Sequence, residues 1–220
     1  MAINFSSEIT LIDFHDSFTY NIVSELRLKG IKCQVISIDQ WQTGGLDTLT
    51  HLIAGHPARH VVIWGPGPGH PNDYLKRYNI GSTIRELFML DNCFQLGICL
   101  GHQLIWGALG VRSEKSEKPI HGGRIRLNLP LWDEIKTVQL DNADIWVQRY
   151  NSLNLCYSDY QKLAKDRESC LKYGDPILHV QEGECLMGKF FRGLTYQFHP
   201  ESIGTSYRQH FFEPVASFLY

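Results

Sequence analysis

The chain has no apolar run approaching the ~20 residues that a membrane-spanning helix requires, so such a helix is not expected. Charge of one sign is also missing. Its 21 Lys and Arg oppose 23 Asp and Glu for a formal net charge of −2, which gives no electrostatic reason for nucleic acid or a polyanionic partner. Cys33, Cys93, Cys156, Cys170 and Cys185 form no CxxC pair, no disulfide framework and no zinc-ligand cluster. Neither a metal nor a cofactor is therefore expected. The N-terminus shows no basic region followed by an apolar stretch, so no secretory signal is expected, and a reducing cytoplasm suits these thiols. No repeat, low-complexity tract or linker breaks the 220 residues, and 43% hydrophobic content can supply the core of one domain over 1–220.

The first half instead shows a regular alternation. Apolar segments read as strands over 9–14, 32–38, 60–64 and 94–98, and helices fit 18–29, 46–54, 81–90 and 100–109. Ser17 stands where a helix cap would sit, and Gly30 where that helix would stop. The rhythm predicts an α/β fold with a mostly parallel central sheet flanked by helices. After Gly110 the pattern turns to short strands over 124–129, 137–140, 145–149, 177–181, 185–191 and 193–198, a smaller antiparallel part, with a helix over 208–218 closing the chain. Ligands of such sheets gather at the carboxyl ends of the strands.

One strand end carries Gly97-Ile98-Cys99-Leu100-Gly101-His102-Gln103. Glycines two positions to either side of Cys99 give the spacing of a tight strand-to-helix turn that holds a nucleophile. A Cβ at those positions would collide with the adjoining strand or helix, and the helix N-terminus would favour thiolate over thiol. The plain alternative is a small buried cysteine between two helix-breaking glycines. The strand-to-helix context weighs toward a nucleophile.

A nucleophilic cysteine needs a base, and the base needs an orienting group. Of ten histidines, His199 stands apart, because an apolar strand ends there in His199-Pro200-Glu201-Ser202. Proline biases His199 to an extended backbone, in which residues two apart share a side, so Glu201 can lie beside the ring. A capped strand end with an ordinary carboxylate is the competing reading. A third element, Gly65-Pro66-Gly67-Pro68-Gly69-His70-Pro71, comes after the apolar run 60–64, and its glycine N–H groups could face an oxyanion. It lacks the Lys-Ser/Thr ending of a phosphate loop.

Taken in order, these three blocks resemble those of class I glutamine amidotransferases. The opening Leu11-Ile12-Asp13-Phe14-His15-Asp16-Ser17-Phe18-Thr19-Tyr20-Asn21 resembles one branch, the small glutaminase subunit (component II) of the chorismate-using synthases that make anthranilate or 4-amino-4-deoxychorismate. Lys118-Pro119-Ile120-His121-Gly122 and Arg149-Tyr150-Asn151-Ser152-Leu153 add further echoes. The resemblance implies that Cys99 attacks the side-chain amide of L-glutamine, His199 serves as base and then acid, and Glu201 orients it. It also implies an oxyanion hole from the N–H groups of Gly67 and Leu100, a glutamine pocket at Gly67, Pro68, Gly69, Gln103, Ser152 and Leu153, and a γ-glutamyl thioester. The residues alone say nothing of Gln103, Ser152 or Leu153, which read as a solvated helix residue and a turn.

The sequence departs from the family pattern at three places. Asn151 stands where His usually precedes Ser-Leu, Trp64 precedes the Gly-Pro loop where a small residue is usual, and His121-Gly122-Gly123 lacks the usual Lys-Thr/Ser continuation. These touch the glutamine pocket and partner contacts and leave the triad alone. Asp13, Asp16 and Ser17 read as a strand end and helix cap rather than a metal or acid–base site, with Tyr20 and Asn21 on a helix face. His121-Gly122 reads as partner contact or as plain loop.

Free ammonia must reach its acceptor before it becomes ammonium, and nothing in the sequence resembles a chorismate or nucleotide site. A chorismate-binding synthase subunit is the expected partner in a heteromer. Two rivals are a free-standing γ-glutamyl or peptide hydrolase and a non-catalytic regulatory homologue. The small pocket implied by Gly67–Gly69 and Gln103 speaks against the first, and the intact Cys99, His199 and Glu201 against the second.

Overall fold

The structure is a computed structural model that describes residues 8–41, 45–129, 132 and 144–220. Strands and helices alternate first: β1 (Ile9–Asp13), α1 (Thr19–Leu28), β2 (Cys33–Ser37), α2 (Ile38–Trp41), α3 (Gly45–Ala54), β3 (His60–Trp64), α4 (Pro71–Arg77), α5 (Ile80–Phe88), β4 (Cys93–Ile98) and α6 (Leu100–Ala108). Short strands come next as β5 (Ser113–Lys115), β6 (Gly123–Arg126), β7 (Trp146–Arg149) and β8 (Leu153–Leu155). Then come α7 (Tyr157–Leu163), α8 (Arg167–Tyr173), β9 (Ile177–Gln181), β10 (Glu184–Phe190), β11 (Gly193–Tyr196), a 3-10 turn (Arg208–Phe212) and α9 (Glu213–Leu219).

Seven strands form the central sheet in the order β2-β1-β3-β4-β11-β10-β9. The first five are parallel, while β10 and β9 add antiparallel pairs at one edge. Two small antiparallel ladders, β5–β8 and β6–β7, lie outside it. The expected mostly parallel α/β architecture is present. Residues of β3 are buried on both faces: Val61 and Ile63 pack on the α1 side, Val62 and Trp64 on the side of α3, α5 and α6. That period of two splits one apolar run between two cores, as a sheet covered on both faces requires.

Several local expectations change. The helix over 18–29 begins at Thr19, and its N-cap Phe18 makes no side-chain capping bond. Asp16 Oδ1 instead accepts the Phe18 N–H at 2.8 Å, and Asp13 Oδ1 takes the His15 N–H and the Thr19 hydroxyl. The carboxylates thus order the turn that leads into α1, and the Ser17 hydroxyl does not cap the helix. Pro71 starts α4 at its first turn, with His70 Nδ1 accepting from Asn72 N–H at 3.1 Å, so a segment read only as loop contains a helix. Helices α7 and α8 also interrupt the strand-rich half. The C-terminal segment is a 3-10 turn followed by α9, because Pro214 cannot donate inside a continuous helix from residue 208. The strand expected over 137–140 lies outside the described residues.

Candidate active site

The register aligns Trp64 of β3 with Gly97 of β4, and Ile98 of β4 with Tyr196 of β11. Three parallel strands therefore end together. Their continuations share one edge of the sheet: the Gly-Pro loop, Cys99, and the segment leading to His199.

Cys99 has φ 53° and ψ −101°, a left-handed conformation that costs strain for any residue but glycine. Close packing holds it there. A Cβ on Gly101 would lie 1.9 Å from the Trp64 carbonyl oxygen, and one on Gly97 would lie 2.7 Å from that of Gly101. Gly101 N–H donates to Gly65 O at 3.1 Å, and Cys99 N–H donates to Tyr196 O at 2.7 Å. The elbow is thus fastened to both neighbouring strand ends. Gly67 is pressed against its neighbours too, since a Cβ there would meet Phe14 Cβ at 2.4 Å and Leu100 Cδ2 at 2.8 Å. That contact brings Gly67 beside Leu100, the pair expected to face an oxyanion. Pro68 and Gly69 are exposed at the loop's tip, and the Tyr74 hydroxyl donates to Pro68 O at 2.9 Å.

His199 and Glu201 are both buried, each 2% exposed, and His199 Nδ1 meets Glu201 Oε1 at 2.8 Å. A carboxylate can only accept, so Nδ1 carries the proton and Nε2 is left for chemistry. Nε2 makes no hydrogen bond to a nitrogen or oxygen among the described residues. Burial pushes the imidazole's pKa down, but the charges of Cys99 and Glu201 and the hydrogen bond to Glu201 override it, and the net shift is well above the ordinary histidine value. The ring is flanked by Phe18 at 5.0 Å and Tyr150 at 5.1 Å between centroids. Its backbone is held as well: His199 N–H donates to Gln148 O at 2.9 Å, and the Thr205 hydroxyl donates to His199 O at 2.7 Å.

The remaining wall is polar. Gln103 is buried, not solvated, and its Nε2 donates to Gln197 Oε1 at 2.9 Å and Leu153 O at 3.5 Å. Asn151 Nδ2 also donates to Leu153 O, at 2.9 Å, while Asn151 Oδ1 accepts from Arg149 Nε at 3.0 Å. Arg149 pairs with the buried Glu184, which accepts the Ser116 hydroxyl at 2.6 Å. Ser152 is exposed, with its carbonyl taking the Ser116 N–H at 2.9 Å. His121 is exposed, and Gly122, at φ +80°, lies under the Tyr150 ring. Sequence reading missed Phe18, Tyr150, Gln148 and Gln197, because ring stacking and amide pairing across the chain leave no local pattern. Among the described residues no three His, Cys, Asp or Glu side chains group to hold a metal ion, and no helix is long and apolar enough to cross a membrane.

A thiol on a strained elbow and an imidazole fixed by a carboxylate, with Gly67 packed against Leu100, are an arrangement that can carry acyl transfer from an amide. Comparison with known proteins agrees. The family description "Glutamine amidotransferase class-I" matches residues 10–216. The chain is 32% identical over 211 residues to the pyocyanine-specific anthranilate synthase component 2 of Pseudomonas aeruginosa, covering 93% of this chain and 90% of that one. It is 26% identical to the chloroplastic aminodeoxychorismate synthase of Arabidopsis thaliana, covering 92% of this chain and 26% of that longer protein. In fold, it resembles a putative GMP synthase subunit of Thermoplasma acidophilum with a TM-score of 0.69 at 18% identity, over 96% and 92% of the two chains.

Proposed function

The chain belongs to the class-I glutamine amidotransferase family, and from that footing we propose that it hydrolyses L-glutamine at Cys99 and delivers the ammonia to a chorismate-using synthase subunit making anthranilate or 4-amino-4-deoxychorismate. The observation that carries the reading is the meeting, at one sheet edge, of the strained Cys99 with the His199–Glu201 pair.

In this mechanism the Cys99 sulfur attacks the δ-carbonyl carbon of glutamine. The carbonyl electrons move to oxygen, and the N–H groups of Gly67 and Leu100 hold the developing charge. As the C–N bond breaks, His199 gives its proton to the departing amine and ammonia leaves. The γ-glutamyl thioester on Cys99 then takes up a water deprotonated by His199, and glutamate departs with the thiolate regenerated. Glu201 keeps the imidazole in the required tautomer and offsets its charge. Gly67, Pro68, Gly69, Gln103, Ser152 and Leu153 hold the amino-acid end. Both Gln103 amide protons are engaged, so it offers the substrate an acceptor, which suits the α-ammonium rather than the carboxylate.

Ammonia that escapes to water becomes ammonium and loses the lone pair it needs, so the acceptor subunit belongs close to this site, in a cytoplasmic heteromer. Tyr20 and Ile203, 69% and 90% exposed, present apolar side chains two positions beyond Phe18 and Glu201. The test is glutamate release by the chain alone and with the chorismate-binding subunit and chorismate. The reading expects activity that rises on assembly and falls by more than about 10⁴-fold in Cys99→Ala. Unchanged activity and sedimentation on adding the partner would remove the proposed heteromer.

A further inference from the structure

Gln197 is fully buried beside the nucleophile, and no role above uses it. Its Nε2 donates to Cys99 Sγ at 3.8 Å, and its Oε1 accepts from Gln103 Nε2 at 2.9 Å. An amide can be turned either way, so something must hold the N–H side toward the sulfur. Two groups without a choice do this. The Leu153 carbonyl can only accept, and it takes both Gln103 Nε2 and Asn151 Nδ2. Gln103 therefore presents its NH2 to Leu153 and Gln197, Gln197 must answer with its oxygen, and its own NH2 is left for Cys99. Arg149 can only donate, and its Nε bond to Asn151 Oδ1 turns the Asn151 amide so that Nδ2 meets Leu153. Polarity thus runs from the buried Arg149–Glu184 pair to the sulfur.

We propose that Gln197 is a further catalytic residue of this site: its side-chain N–H stabilises the anionic Cys99 sulfur, with Gln103 and Asn151 as positioning residues that fix its direction. The inference rests on Cys99 being the nucleophile of the proposed reaction. An N–H donated to an anion favours the charged form, so the contact strengthens when the thiolate forms and again when it leaves the thioester. The ionisable groups around the elbow are His199, with Glu201 behind it, and His102 in α6, which burial holds neutral. A neutral substitution at Gln197 alters the charge of none of them.

The test is iodoacetamide alkylation of Cys99 against pH, followed on its peptide by mass spectrometry, with glutamine hydrolysis measured in the assembled complex. In Gln197→Leu the alkylation midpoint rises by about one pH unit and kcat/KM falls about tenfold, while KM stays within about twofold. Gln197→Met keeps the length and stays neutral but offers no N–H, so its midpoint rises likewise, and it decides the matter if the leucine variant does not fold. Unshifted midpoints, or a rise in KM alone, overturn the proposal. Alkylation needs no glutamine. A shifted midpoint in a protein that hydrolyses no glutamine would uphold the contact and sink the reaction, whereas normal hydrolysis with an unshifted midpoint would sink only the role of Gln197.

Discussion

The two walls of the site are built on different physics. The wall bearing Cys99 is steric: glycines at 97 and 101 let a strand, a turn and a helix approach to distances that any side chain would forbid. The facing wall is polar, a chain of amides and one ion pair that joins Glu184, Arg149, Asn151, Gln103 and Gln197. A steric wall fails by displacement, because one added methyl group moves whole elements. A polar wall fails by orphaning, because each lost partner leaves a buried donor or acceptor with nothing to bond.

The contrast can be broken at either wall. Arg149→Met gives the largest expected effect on stability. It leaves the Glu184 carboxylate buried with, among the described residues, only the Ser116 hydroxyl as partner, and loss of one member of a buried pair costs about 3–5 kcal/mol. Urea unfolding measures it, and a loss under about 1 kcal/mol would mean the wall does not depend on the pair. Gly101→Ala should cost about 3 kcal/mol, since its Cβ would lie 1.9 Å from the Trp64 carbonyl and the backbone must shift. Its signature is different: glutamine hydrolysis should fall together with stability, because the moved atoms carry Cys99.

His102 sharpens the comparison through pH. It is fully buried under the elbow, with Nδ1 against the Thr195 hydroxyl at 2.8 Å, and burial pulls its pKa down to about 3. The unfolded chain, with an ordinary histidine near 6.5, binds the proton first as pH falls. Stability from keeping His102 neutral is therefore present above about pH 6.5 and drains away in acid, by about 2 kcal/mol between roughly pH 6.5 and pH 5. In His102→Gln that part of the acid slope should vanish; a slope equal to wild type would show that the ring is not held neutral.

Legibility in the sequence divides along the same line. The elbow is legible because its constraint is local: two glycines flank Cys99, and a strand and a helix adjoin it. His199 and Glu201 are legible because they stand two residues apart, although the chain joins them through a turn beyond the end of β11 rather than along extended backbone. The parallel run of β1 to β4 is readable from the βα rhythm, whereas β11, expected in the antiparallel part, joins the central sheet parallel to β4. Gln197 is not legible, since a glutamine in an apolar stretch just past β11 gains meaning only from Gln103, 94 positions away. Phe18 and Tyr150 likewise meet only around the His199 ring. Helix α4 escapes notice although its signal is present, because Pro71 groups naturally with the Gly-Pro loop rather than as a first helical residue.

The most direct test of the central claim is to treat the assembled enzyme with 6-diazo-5-oxo-norleucine, a glutamine mimic that alkylates nucleophiles, and to locate the adduct by mass spectrometry. A single adduct on Cys99 is expected, formed in step with the loss of glutamine hydrolysis and greatly slowed in His199→Gln. Complete inactivation with Cys99 unmodified, or full glutaminase activity in Cys99→Ala, would contradict the account.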